Sequence, residues 1–150
     1  GIDHGYNDPT ASIVLKYHFD TDTFYLINEY QENRKTTEHY AANFRKQMEE
    51  TDVELIFVDA AAAQFRQDLA VLHDIPSAPA VKSLLDGIEY VHSLINQGKL
   101  IISKDCTQSI LAIRNYSWDD SEGLQKSRPN HDDYSHLCDA IRYALYSYSR

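Results

Sequence analysis

Residues 53–59, VELIFVD, run directly into an alanine-rich segment, AAAAQF, and that junction restricts the folds open to this chain more than any other stretch. A short run of β-branched and aromatic residues suits a strand buried on both faces of a sheet. Residues 60–72 then place Phe65, Leu69 and Leu72 at helical spacing, so strand, acid and helix follow without a gap. Ligands of open α/β sheets bind at the carboxyl ends of parallel strands, which is where Asp59 stands.

A second acid lies in the opening stretch, GIDHGYNDPTASIVL. Asp3 sits between an apolar start and a glycine, and a loop with Asn7, Asp8 and Pro9 leads into the apolar run 11–15. That pattern predicts two paired strands with an acid on the first. A strand acid is costly unless it is exposed at a cleft, hydrogen-bonded or holding a metal, and the metal is the reading adopted. Residues 11–19 and 23–30 are rich in β-branched and aromatic residues and joined at Asp20, Thr21 and Asp22, so the chain opens on an antiparallel meander. Thr36 or Thr37 caps a helix ending near Glu50, with Tyr40, Phe44 and Met48 along one face.

The run 75–81 contains Pro76 and Pro79 and is either an edge strand or a loop, since each proline removes a ladder donor. An amphipathic helix over 83–96 closes at Gly98, residues 100–102 form a short strand, and 106–116 another helix. The stretch from Trp118 through the polar Asp119, Asp120, Ser121, Glu122 and Gly123 to Lys126 reads as a β-hairpin with a polar tip. A last helix, 131–149, carries the apolar stripe Leu137, Ala140, Ile141, Ala144, Leu145 and Tyr148.

At 150 residues the chain has the length of one domain and can bury a core without disulfides or zinc. It opens directly on a strand pattern without an initiator methionine, which suggests a piece of a longer chain. Cys106 and Cys138 form neither a disulfide framework nor a metal motif, so a reducing compartment is expected. No apolar run nears the roughly 18 residues of a membrane span, and no signal peptide is seen. The net charge of -9 argues against phosphate binding by Lys and Arg alone. An acidic site that recruits divalent cations handles phosphates through the ions instead.

Asp3 in the first strand, Asp59 at the end of the fourth and Asp139 in the last helix follow the ribonuclease H-like order, in which the first and fourth strands are neighbours. The segments GIDHGYNDPTA, IFVDAAAAQF and HDDYSHLCDAIRYALY, in this order and spacing, resemble the carboxy-terminal nuclease domain of the large terminase subunit of tailed bacteriophages. The resemblance spans essentially the whole chain. It implies a ribonuclease H-like mixed α/β sheet flanked by helices, cutting double-stranded DNA during viral genome packaging by two-metal phosphodiester hydrolysis. Asp3, Asp59 and Asp139 would be ligands of Mg²⁺ or Mn²⁺, with two ions, and His136 would act near the second metal or the scissile phosphate. The resemblance further implies an ATPase motor domain on the amino-terminal side of the same chain. A portal protein and a small terminase subunit would be partners, in the host cytoplasm at the procapsid. Lys126, Arg128 and Lys82 are the candidate contacts to DNA phosphates, with Arg66 behind them.

Blander readings stand beside these. Asp3 alone suits a strand end, and Asp59 a helix cap. Asp139 lies nearly opposite Leu137, Ile141 and Leu145, with His136 and Tyr143 on its side, so a solvated face is its alternative. His4 should point away from Asp3 across the strand. Asp8, Asp132 and Asp133 suit loop solvation, helix capping or an outer shell of the site, and His131 the surface. A sugar- or actin-type phosphotransferase would need a second lobe and a glycine-rich phosphate loop, which a chain with five glycines lacks. A catalytically silent ribonuclease H-like domain that guides DNA or docks a motor stays open. No Walker A pattern occurs, and nothing resembles a base-reading element.

Overall fold

The computed structural model describes residues 1–5, 7–115 and 135–150. Its longest pairing joins β2 (Thr10–His18) to β3 (Thr23–Glu32) in antiparallel register, and Asp22 takes the left-handed conformation, φ 50°, that closes the turn. β1 (Ile2–Asp3) adds to the other edge of β2, with Ile2 opposite Ser12 and Asp3 opposite Ala11. The expected meander is therefore present.

Parallel strands flank the meander on both sides. β4 (Phe57–Val58) and β5 (Ala78–Pro79) extend the sheet beyond β1, and β6 (Leu100–Ile102) extends it beyond β3, for the order β5-β4-β1-β2-β3-β6. First and fourth strands are neighbours, Ile2 opposite Val58. β4 is shorter than the expected strand over 53–58, because its ladder to the two-residue β1 engages only Val58; Leu55 is 61% exposed. The 75–81 ambiguity resolves to an edge strand. Ala78 N–H and Ala80 N–H donate to Ile56 O and Val58 O, so the intervening Pro79 faces away from β4 and its missing donor costs nothing there.

Among the described residues, two helices cover one face. α1 (Thr37–Thr51) starts at Thr36, whose hydroxyl accepts the His39 N–H at 3.1 Å. α2 (Ala63–His73) follows a turn over 60–62. Tyr40, Phe44, Phe65 and Leu69 pack with Ile2, Val58 and Ile75 beneath them. Leu72, expected on the buried face of α2, is instead 69% exposed in its last turn. A polar pin ties α1 to the sheet, Ser12 Oγ donating to Gln47 Oε1 at 2.7 Å and Gln47 Nε2 to Asn28 Oδ1 at 3.1 Å. Leu69 is fully buried, and Leu69→Ala should cost about 3 kcal/mol in urea unfolding through the cavity it leaves.

Among the described residues, three helices cover the other face: α3 (Leu84–Asn96), α4 (Thr107–Asn115) and α5 (Ser135–Tyr148). Gly98, at φ 68°, follows α3 as expected. α5 lies on β1 and β2 between α3 and α4, with Leu137, Ala140, Ile141 and Leu145 in the core. The neighbouring helices bury most of its remaining surface as well, so the solvated face considered for Asp139 is not there; Tyr148, at the end of the stripe, is half-exposed. The hairpin around Trp118, along with Lys126, Arg128, His131, Asp132 and Asp133, lies outside the described residues.

Candidate functional site

Alternation along β1 settles which way its acid points. Ile2 and His4 face α1 and α2, His4 stacking on Phe65 with ring centroids 3.6 Å apart and its Nδ1 2.9 Å from Thr10 Oγ1. Gly1 and Asp3 face α5 instead. Asp3 is only 8% exposed, and its Oδ2 lies 3.0 Å from His136 Nδ1 in the first turn of α5. With Asp3 ionised, Nδ1 carries the hydrogen of this bond.

Asp59 arrives beside Asp3 through the parallel ladder, since its own N–H donates to Ile2 O at 3.1 Å. The Asp59 carboxylate is not the cap of α2. Its Oδ1 accepts the Ala61 N–H at 3.0 Å inside the preceding turn, and the N-cap position falls to Ala62. The same oxygen meets Lys82 Nζ at 2.9 Å. Lys82 follows β5, so the carboxyl ends of β1, β4 and β5 converge on one edge of the molecule.

Asp139, one turn along α5 from His136, pairs with Arg142 Nη2 at 3.3 Å. Burial, reinforced by the charge of Asp3 and partly offset by Arg142 and His136, pushes its carboxyl up to about 6. His136 is raised by its hydrogen bond to Asp3 against the opposing effect of burial, and the charges of Asp3, Asp8 and Asp139 raise it further. Burial also raises the Tyr143 hydroxyl, and the charges of Asp3, Asp59 and Asp139 all add to the shift. The three acids thus share one electrostatic field around α5.

That field is not a closed ligand cage. Among the described residues no group of three His, Cys, Asp or Glu side chains is drawn together tightly enough to hold a metal ion. Each acid has a basic partner: Asp3 has His136, Asp59 has Lys82 and Asp139 has Arg142. Of the candidate phosphate contacts, Lys82 stands at the acids themselves, and Arg66 is half-buried in α2 with its Nε enclosed. Sequence reading passed over Arg142, although its i+3 spacing from Asp139 is the ordinary signature of a helical ion pair. The pairs Asp3–His136 and Asp59–Lys82 left no local signal.

The raised Asp139 carboxyl has a consequence for stability. Since the folded chain holds this proton more tightly than the unfolded one, the contribution is full below the unfolded value near 4 and is lost as pH rises through about 6. Relative to Asp139→Asn, the native chain should lose at most about 3 kcal/mol between pH 4 and pH 7 in urea titrations. A pH-independent difference would show that Asp139 is not held desolvated beside Asp3.

An antiparallel meander with parallel wings, acids at the carboxyl ends of its central strands and a further acid on the helix across them defines a ribonuclease H-like α/β domain. The sequence model of the terminase RNaseH-like domain matches residues 1–147, and the chain belongs to that family. It is 53% identical over 153 residues to the terminase large subunit of Escherichia phage T5, covering 100% of this chain and 35% of that one. The chain therefore spans about a third of that relative's length. Among solved structures, the large terminase of a thermophilic bacteriophage superposes with a TM-score of 0.83 at 24% identity, over 99% of this chain and 39% of that one. The large terminase nuclease domain of bacteriophage SPP1, solved with bound Mn, gives 0.75 at 25% identity, over 97% of this chain and 83% of that one.

Proposed function

We propose that this domain is a divalent-metal-dependent endonuclease that cuts double-stranded DNA during viral genome packaging. The observation that carries this reading is the meeting of the first and fourth strands at their carboxyl ends, where the Asp59 N–H donates to Ile2 O beside Asp3, with the charges of Asp3, Asp59 and Asp139 all acting on Tyr143 of α5. An all-oxygen donor set of carboxylates suits a hard ion such as Mg²⁺ or Mn²⁺. The Mn bound to the SPP1 nuclease domain supports the same chemistry.

Asp3 and Asp59 would hold one ion between them, and Asp139, with His136 beside it, would complete a two-ion site. Bound there, the ions supply water activation and neutralise charge on the scissile phosphate. His136 orients the Asp3 carboxylate through its Nδ1 hydrogen bond and places a titratable imidazole beside the reacting centre. Lys82, with Lys126 and Arg128, holds backbone phosphates. Contacts of that kind carry no base information, so cleavage is expected to be nearly independent of sequence.

The longer T5 relative, and the thermophilic phage's large terminase solved with ATP-gamma-S, support an ATPase motor on the same chain. A portal protein and a small terminase subunit are its proposed partners, at the procapsid in the host cytoplasm. No helix among the described residues is long and apolar enough to cross a membrane.

The pairing of each acid with a base favours one alternative, a silent domain that guides DNA or docks the motor. Supercoiled plasmid separates the two readings. Nicking and linearisation in Mn²⁺ or Mg²⁺, abolished by EDTA and restored by excess metal, is the expected result. Intact plasmid with both metals, from a chain folded by circular dichroism, would establish the silent domain.

A further inference from the structure

The three bases paired with the site acids differ in freedom. His136 and Arg142 each have side chains 7% exposed, and Arg142 is wedged against α3, where a Cβ on Gly87 would fall 2.9 Å from its Cδ. Lys82 is different: its side chain is 48% exposed while that of Asp59 is 13% exposed. The backbone leading into it is nonetheless anchored, because Ala80 N–H donates to Val58 O at 2.7 Å and Val81 N–H to Ser147 Oγ at 2.9 Å. A fixed root with a flexible aliphatic stem lets the ammonium move while its anchor stays at the site edge.

We propose that Lys82 is an exchangeable latch: it occupies Asp59 while the site holds no metal, and is released to a DNA phosphate when a divalent cation takes that carboxylate. The inference rests on the metal-site reading above and extends it to the coupling between metal and DNA. An ammonium 2.9 Å from Asp59 Oδ1 and a divalent cation on the same carboxylate repel each other, so one displaces the other. A half-exposed ion pair is weak enough to be displaced, and removing it should tighten metal binding by a factor of about two to five. Once freed, the ammonium needs an anion at the edge where β1, β4 and β5 end, and the phosphate brought there by the substrate provides one. Metal and DNA then bind cooperatively, each strengthening the other by the same factor.

The latch predicts effects of opposite sign from one substitution. Using the full chain, Mn²⁺ affinity is measured by calorimetry without DNA, and affinity for a cleavage-resistant phosphorothioate duplex by fluorescence anisotropy with Mn²⁺ and with EDTA. Lys82→Met and Lys82→Gln should bind Mn²⁺ about two to five times more tightly than the native chain, yet show a smaller Mn²⁺-dependent gain in DNA affinity. Unchanged or weaker Mn²⁺ binding in both variants, or an undiminished gain, overturns the latch. Asp59→Asn distinguishes the two levels of inference. If it leaves Mn²⁺ affinity intact, the metal site itself is wrong; if it weakens Mn²⁺ binding while the Lys82 variants fail to tighten it, only the latch falls.

Discussion

Asp3→Asn and Asp59→Asn should each lower metal-dependent cleavage of duplex DNA by about a thousandfold or more. Asparagine keeps the volume of aspartate and still offers an oxygen to His136 Nδ1 or to the Ala61 N–H, so the local hydrogen bonds at 3.0 Å have a substitute. What is lost is the charge that would bind the ion. Folding should survive, and circular dichroism together with urea midpoints checks that the loss is chemical. Removing an acid also relieves the crowding felt by Asp139, so Asp3→Asn should lower the Asp139 carboxyl, whose rise Asp3 helps to cause. Native-level cleavage in both variants would exclude a metal site at this edge. Crystals soaked in Mn²⁺ give the complementary check, anomalous density between Asp3 and Asp59.

Gly1→Val is expected to act through packing. A Cβ at Gly1 would fall 2.0 Å from Ala140 O and 2.9 Å from the Ala144 Cβ, both on α5. The first obstacle is backbone and cannot rotate aside, so α5 must move off β1 or β1 must leave the sheet. Overpacking of this kind costs about 3 kcal/mol, read as a shift of the urea midpoint. The same displacement carries His136 away from Asp3, so cleavage should fall further than the loss of folded protein explains. Gly87→Ala supplies the contrast, because its added Cβ meets the Arg142 side chain, 2.9 Å from its Cδ, rather than backbone, and should cost less. Equal stability of Gly1→Val and the native chain would show that α5 does not rest on β1 as closely as described.

Much of the architecture was legible because its signals are local. Thr36 capping α1, Gly98 after α3 and the Asp20–Asp22 turn are each decided within a few residues, and all stand where the pattern put them. The meander and the adjacency of strands one and four also held. Length of pairing was less legible: residues 53–58 have strand character throughout, yet the parallel ladder from β1 engages only Val58. Pro79 shows the converse, an ambiguous residue settled once its neighbour was known, because the N–H it lacks points away from β4.

By itself the sequence determined which residues are strand, helix and turn, and which acids stand out by position; periodicity and capping act over distances that a short window contains. Only the tertiary structure decided what those acids touch. Asp3 and His136 are 133 positions apart, and Asp59 meets a lysine beyond the next helix, so no local pattern encodes either contact. Nor did periodicity reveal that Asp139 is enclosed, since α5 shows an amphipathic stripe while α3 and α4 bury what lies beside it. Desolvation and neighbouring charge depend on the whole surrounding fold, and they turn three separated aspartates into one acidic field.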